Sequence, residues 1–92
     1  MPRLAEDEIE ARLGELSGWR RAGESIVKEF ELKDFAGSVD FVNRLTPVAE
    51  EMNHHPDLEI SWNTVTVKLS THSEGGLTES DFELAGKIDA LG

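Results

Sequence analysis

The chain has 92 residues, 38% of them hydrophobic, and its 19 acidic and nine basic side chains give a formal net charge of −10. A chain this short buries only ~60 to 65% of its unfolded surface, which fits a single domain over residues 1–92. A protein with this negative charge lacks the basic surface that direct binding to nucleic acid requires. Anionic membranes would also repel it. No run approaches the ~18 apolar residues of a membrane-spanning helix.

The start of the chain and the absence of cysteine restrict its location and chemistry. Residues 1–8 contain no apolar stretch of the kind that a secretory signal needs and are too acidic for a transit peptide. Without cysteine there are no thiol nucleophiles, disulfides or cysteine-based zinc sites. We therefore expect a cytoplasmic protein that uses histidine, carboxylate, hydroxyl or backbone groups.

The first third of the chain predicts a short helix followed by two strands. Apolar residues within 5–16 recur at helical spacing, behind a first turn that is rich in acids. Residues 19–21 and 25–32 are typical of two strands around Gly23. Lys28 interrupts the apolar face of the second strand, where we expect its stem over apolar surface and its ammonium group in water.

A long core helix is predicted next. Asp34 is placed to cap it, and apolar residues recur every three or four positions as far as Asn53. Pro47 in its middle removes one backbone hydrogen bond. We therefore expect a kink or a break near Thr46.

A hairpin follows the long helix. Residues 58–62 and 65–71 alternate apolar and polar side chains on either side of a short link. A register with Trp62 opposite Val65 sets apolar residues against each other on one face and an opposite-charge pair on the other. A slip by one residue would set apolar against polar residues throughout, so this register is favoured.

The same register, extended past the strand ends, sets His55 opposite His72, and His54 adjoins His55. The three histidines of the chain therefore predict one acid–base site, since imidazole exchanges protons near neutral pH. Glu50 precedes His54 by one helical turn and, if the helix continues, a carboxylate there would fix the imidazole tautomer.

The last element is a helix opened by a capping box at residues 78–81, after the break at Gly75-Gly76. The element order is therefore α-β-β-α-β-β-α. This order predicts an α+β fold, in which three helices pack on one face of a four-stranded antiparallel sheet.

Each candidate residue also has a plainer interpretation. Adjacent histidines beside a proline are often loop residues, Asp81 is a helix cap by position, and Glu50 could be a solvated charge. A metal site is disfavoured because no His-Glu-x-x-His pair is present, and His54 and His55 cannot easily point at one ion on an extended backbone. No nucleotide-binding motif or nucleophile elbow occurs, so acid–base chemistry on a neutral organic ligand remains.

Three blocks of the sequence resemble the pterin-4a-carbinolamine dehydratases, and the similarity covers nearly the whole length. They are residues 50–56 (EEMNHHP), 69–72 (LSTH) and 75–82 (GGLTESDF). The resemblance implies a four-stranded antiparallel sheet with helices on one side, assembled into dimers or dimers of dimers. It also implies dehydration of 4a-hydroxytetrahydropterin to quinonoid dihydropterin, a hydro-lyase reaction of tetrahydrobiopterin recycling that needs no metal or bound cofactor.

The resemblance further assigns residues to the site. The family's catalytic histidines match His54, His55 and His72, and the residues that line its pterin pocket match Glu50, Ser70, Thr71 and Asp81. One histidine would donate a proton to the departing hydroxyl and another would accept the N5 proton, which typically supplies ~10² to 10⁴ in rate. Neither role is assigned to a particular histidine.

Three positions depart from the family's pattern. Leu58 stands where many members carry a tryptophan, Trp62 replaces a common tyrosine, and Pro47 is unexpected in the long helix. The alternative function is a non-catalytic binding protein on the same fold, either a dimerisation cofactor or an assembly chaperone. Relatives of that kind tend to lose the histidines, which this chain keeps.

Overall fold

The computed structural model describes residues 2–91, which contain three α-helices, four strands and one short 3₁₀ turn. In chain order these elements are α1 (Glu6–Gly14), β1 (Arg20–Ala22), β2 (Ser25–Glu31), α2 (Phe35–Met52), β3 (Asp57–Ser61), β4 (Thr64–Leu69), the 3₁₀ turn (His72–Glu74) and α3 (Glu79–Asp89). The strands form one antiparallel sheet in the order β1-β2-β4-β3. The predicted α+β class and element order are confirmed. No helix within residues 2–91 is both long and apolar enough to cross a membrane.

The core lies between one face of the sheet and the helices. Strand β4 alternates between buried Val65, Val67 and Leu69 on that face and the less buried Thr66 and Lys68 on the other. The helices contribute buried apolar side chains at the spacing of one helical face. These side chains are Ile9 from α1, Phe41, Leu45 and Ala49 from α2, and Phe82, Leu84, Ala85 and Ile88 from α3.

Helix α2 has the predicted bounds. The Asp34 carboxylate accepts a hydrogen bond of 2.8 Å from the Gly37 N–H at its start, and Asn53 ends it in the left-handed conformation with φ of 51°. Pro47 does not divide the helix, which runs unbroken for 18 residues. Proline removes a single hydrogen bond, whereas most helical stability in a protein comes from packing of the apolar face.

The cap at Asp34 allows a direct test of this helix start. Asp34→Ala is expected to lower the free energy of unfolding by about 1 kcal/mol, because the Gly37 N–H loses its acceptor. Urea denaturation of the two proteins measures the difference. Lys33→Ala, one residue outside the cap and also exposed, should change it by less than about 0.5 kcal/mol. Equal effects of the two variants would mean that the cap contributes nothing.

Strands β3 and β4 pair in a different register from the predicted one. Ile60, and not Trp62, is the partner of Val65. The turn consists of residues 62–63, one position earlier than predicted, and Trp62 enters it with a left-handed φ of 49°. The shift of two residues leaves the apolar side chains on the predicted face, because side chains alternate with a period of two.

The corrected register removes the predicted pairing of histidines. Asp57 pairs with Lys68, and the same register carried two residues further sets His55 opposite Ser70. His72 instead follows the end of β4 and opens the 3₁₀ turn. The predicted pairing of His55 with His72 across the hairpin was therefore wrong.

The lysine of β2 is paired rather than solvated. Lys28 donates hydrogen bonds of 2.8 Å each to the Ser17 carbonyl and to Asp89. Its Nζ lies 4.8 Å from the centre of the Phe30 ring, so the ammonium group itself, and not only the stem, lies over an apolar side chain. The Trp19 indole N–H donates to the same Asp89 carboxylate. The expectation of an ammonium group in water was wrong, since the end of α3 supplies an acceptor.

Candidate acid–base site

The centre of the candidate site is a short contact between His54 and Asp81. The chain leaves α2 through the left-handed Asn53, and the His54 N–H still donates to the Ala49 carbonyl, which fixes the backbone before β3. Asp81 lies in the first turn of α3 and its side chain is fully buried. The His54 Nε2 lies 2.6 Å from the Asp81 Oδ1, and the histidine side chain is 14% exposed.

The second oxygen of Asp81 has two further partners. Its Oδ2 accepts hydrogen bonds from the Thr71 hydroxyl at 2.8 Å and from the Thr78 N–H at 2.9 Å. The two threonine hydroxyls lie 2.9 Å apart. Asp81 is therefore a helix cap, as its position predicts, and it also contacts His54. We call the side chains of His54, Thr71, Thr78 and Asp81 the Asp81 network.

A second histidine–carboxylate pair lies in solvent. The His55 Nε2 is 2.5 Å from the Glu50 Oε2, and the two side chains are 56% and 66% exposed. Glu50 was expected beside His54, but helix α2 ends at Met52 and Asn53 redirects the chain. The two neighbouring histidines consequently have different carboxylate partners, one buried and one exposed.

His72 lies next to the Asp81 network along the chain. It opens the 3₁₀ turn and is exposed. The turn is closed by paired backbone hydrogen bonds between Thr71 and Gly76 of 3.1 and 3.3 Å. The Thr71 side chain binds Asp81, so the residue directly before His72 belongs to the Asp81 network.

The two hydroxyls predicted to line a ligand pocket are bound to the protein itself. The Ser70 hydroxyl donates to the Glu24 carbonyl at 2.9 Å, and the Thr71 hydroxyl belongs to the Asp81 network. Thr78 was not predicted as a site residue, because its place in the capping box already accounts for it. The proximity of this cap to His54 has no signature in the local sequence.

The arrangement is suited to proton transfer. An imidazole against a buried carboxylate has a defined orientation, and imidazole can both donate and accept protons. In residues 2–91 no group of three or more histidine, aspartate or glutamate side chains is placed to hold a metal ion. A separate open cavity of about 360 Å³ lies beside β3, and its lining contains no histidine. That lining is Asp57, Leu58, Glu59, Thr66 and Lys68.

The structure is a small α+β domain in which hydrogen bonds join His54 after α2, Thr71 after β4 and Asp81 at the start of α3. Sequence comparison identifies the family. The chain belongs to the pterin 4 alpha carbinolamine dehydratase family, which it matches over residues 2–91. The family resemblance of the sequence is thereby confirmed.

Two relatives at high identity carry the same provisional name, pterin-4-alpha-carbinolamine dehydratase. The protein from Sulfolobus acidocaldarius is 52% identical over 89 residues, which cover 97% of this chain and 98% of the relative. The protein from Thermosynechococcus vestitus is also 52% identical over 89 residues, covering 97% and 94% of the two chains. The similarity thus extends over essentially the full length of both relatives.

Two solved structures share the fold. A transcriptional coactivator/pterin dehydratase from Brucella melitensis superposes with a TM-score of 0.92 at 38% identity and covers 97% of each chain. A pterin dehydratase-like protein described as a RuBisCO assembly factor in the alpha-carboxysome gives 0.69 at 26% identity, covering 80% of this chain and 88% of that one. Proteins that share the fold are therefore described by roles other than catalysis.

Proposed function

We propose that the chain is a hydro-lyase that converts 4a-hydroxytetrahydropterin to quinonoid dihydropterin in tetrahydrobiopterin recycling. The observation that carries the proposal is the 2.6 Å contact between His54 and the buried Asp81. It provides an oriented imidazole of the kind that general acid–base catalysis needs. Membership of the family and the names of the relatives support the pterin as substrate.

The proposed reaction is an elimination of water that requires two proton transfers. A protonated histidine donates to the 4a hydroxyl, which leaves as water with the electrons of the C4a–O bond. A neutral histidine removes the proton from N5, and the electrons of the N5–H bond form the C4a–N5 double bond. His54, His55 and His72 are the proposed catalytic residues. Glu50, Ser70, Thr71 and Asp81 are assigned to the pterin pocket. The Thr71 backbone is already paired with Gly76, so the backbone at Ser70 is assigned to the amide-like edge of the ring.

The test is a direct assay of dehydration. Purified protein is mixed with freshly generated 4a-hydroxytetrahydropterin, and formation of quinonoid dihydropterin is followed by absorbance. We expect formation faster than in buffer and proportional to protein concentration. A rate equal to the buffer rate contradicts the proposal and favours a non-catalytic binding function.

That second function has a specific observation behind it, since one structural relative is described as a RuBisCO assembly factor. A dimerisation cofactor or an assembly chaperone would need the fold but not the histidines. This chain has all three histidines and holds two of them against carboxylates. The enzymatic function is therefore favoured.

We also propose that the protein is cytoplasmic and assembles into a homodimer or homotetramer. Five large apolar side chains on α2, β3 and the hairpin turn are more than one third exposed. These side chains are Phe35, Val39, Leu58, Ile60 and Trp62. Within residues 2–91, β3 is an edge strand that pairs with β4 alone. Exposed apolar surface beside an open strand edge is typical of an interaction surface.

Ile60→Lys tests the assembly. We expect the wild-type protein to sediment at a multiple of its 10.2 kDa chain mass and the variant to sediment at the mass of one chain, because a lysine cannot be buried unpaired in an apolar interface. Glu59→Gln changes the net charge by the same amount at the next position of β3, whose side chain lies on the other face of the sheet. A wild-type protein at the mass of one chain, or equal behaviour of both variants, argues against this surface.

A further inference from the structure

The segment before α1 lies against the loop that carries His72. We call this segment, residues 2–5, the strap, and the loop is residues 71–76. We infer that the strap holds the loop in place and that Arg3 is a positioning residue for His72. The inference rests on the proposed function for the role of His72, and it adds a residue outside the pterin pocket on which dehydration depends.

The loop is closed by its own backbone, but most of it is exposed. Two hydrogen bonds of 3.1 and 3.3 Å join Thr71 and Gly76. Between these two residues the chain is exposed over residues 72–75, and the Gly75 N–H donates back to the His72 carbonyl at 3.1 Å. An exposed turn with short-range hydrogen bonds opens at little cost in free energy. The position of His72 therefore depends on the segments that contact the loop from outside.

The strap contacts the loop from a fixed point. The Leu4 N–H donates to the Leu77 carbonyl at 2.8 Å. Leu77 is fully buried, and the Leu4 side chain packs against the core. One residue earlier, the Arg3 Nη1 donates to the Gly75 carbonyl at 3.3 Å. This bond is long, so the guanidinium group contributes little by itself, and the stem of the arginine makes the closer contact.

The closer contact is with Gly76. This residue is buried, whereas the four residues before it are exposed. A methyl group on its Cα would lie 2.5 Å from the Arg3 Cδ and 2.6 Å from the Glu24 Oε2, far inside the ~3.5 to 4.0 Å of an optimal contact between carbon atoms. The Arg3 stem and the Glu24 carboxylate therefore cover the glycine backbone directly, and only a residue without a side chain leaves room for them in these positions.

Glu24 supports the same loop at its other end. It lies in the turn between β1 and β2, and its carbonyl accepts a hydrogen bond of 2.9 Å from the Ser70 hydroxyl. Ser70 directly precedes the loop and Gly76 is its last residue, so Glu24 contacts the chain on both sides of His72. With Arg3, two segments that are distant in sequence hold the loop. Such support matters for a catalytic group, because a displacement of ~1 Å can cost about 10²-fold in rate.

The Arg3 side chain is expected to act on the loop and not on the stability of the fold. Arg3 and Glu24 are both exposed, so water replaces most of what a substitution of either residue removes. The core contact of the strap is made by Leu4. A change at Arg3 should therefore loosen the loop while the midpoint of urea denaturation stays the same.

Arg3→Ala tests the inference with two readouts. Hydrogen exchange of peptides that cover residues 70–77 should become at least about threefold faster. The values of kcat and kcat/KM for dehydration should fall together by at least about fivefold, because the geometry of proton transfer is what changes. Arg3→Lys keeps a long stem with a donor at its end, so it should restore both readouts. Arg20→Ala, which removes an exposed arginine from β1, should change neither.

Gly76→Ala tests the same contact from the side of the loop. The φ of Gly76 is outside the left-handed region, so alanine fits its backbone and acts only by displacing the two side chains that cover it. We expect faster exchange and a lower kcat, as in Arg3→Ala. Gly86→Ala is the matched control, because a methyl group at this position of α3 points into open space and should change neither readout.

The two readouts separate this inference from the proposed function. Wild-type exchange in Arg3→Ala, or faster exchange with an unchanged kcat, overturns the inference even if the protein dehydrates the pterin. Faster exchange in a protein without dehydratase activity supports the hold of the strap on the loop and contradicts the proposed function. If Gly76→Ala does not fold, the exposed Arg3 decides the question through Arg3→Ala and Arg3→Lys.

Discussion

Replacement of His54 by glutamine is expected to lower kcat for dehydration by ~10² to 10⁴ while the protein stays folded. The glutamine Nε2 occupies roughly the place of the imidazole Nε2 and can still donate to the Asp81 carboxylate, which therefore keeps a partner. An amide does not exchange protons near neutral pH, so the acid–base step is lost. Steady-state kinetics of quinonoid dihydropterin formation measure the loss, and circular dichroism checks the fold.

Two further variants separate the loss of proton transfer at His54 from a loss of stability. Glu51→Gln introduces the same side chain at an exposed position near the end of α2 and should leave kcat within about twofold of wild type. His54→Ala removes the proton carrier together with the donor to Asp81, so both kcat and the free energy of unfolding should fall. If His54→Gln retains more than about a tenth of the wild-type kcat, then His54 does not transfer the proton.

Much of the fold could be predicted from the sequence because each element carries its own local signal. The cap at Asp34 and the apolar stripe define α2, and the capping box defines α3. The β3–β4 register could not be predicted in this way. A shift of two residues keeps each apolar side chain on the same face, so the alternating pattern fits both registers equally well. The turn at residues 62–63 decides between them, and Trp62 is not a residue type that predicts a left-handed conformation.

The sequence indicates which residue types make up the candidate site, but it does not indicate which carboxylate contacts which histidine. Which carboxylate meets which histidine depends on the left-handed Asn53, which separates His54 from the line of α2 and leaves Glu50 beside His55. Local patterns also cannot show that the cap of α3 meets the residue after α2, because Asp81 and His54 are 27 positions apart. Such contacts are set by packing of the whole domain.

The Asp81→Ala variant is expected to lower the free energy of unfolding by about 3–5 kcal/mol. The substitution leaves three donors in and around a buried position without their acceptor: the Thr71 hydroxyl, the Thr78 N–H and the His54 ring. It also removes the capping bond at the start of α3. Domains are stable by only about 5–15 kcal/mol, so this loss is a large share of the total. Urea denaturation at a fixed chain concentration measures it, since self-association would make stability depend on concentration.

The exposed contact between His55 and Glu50 provides the matched control for the buried Asp81. Glu50→Ala removes the carboxylate from the other histidine–carboxylate contact, but both of its members are more than half exposed, so water replaces the lost partner and the expected change is at most about 1 kcal/mol. Asp81→Asn should lie between the two, because the amide oxygen still accepts the Thr78 N–H. Equal losses in Asp81→Ala and Glu50→Ala would show that burial of the Asp81 network adds no stability. The order Ala, Asn, wild type at residue 81 therefore measures how strongly the fold depends on the carboxylate that orients His54.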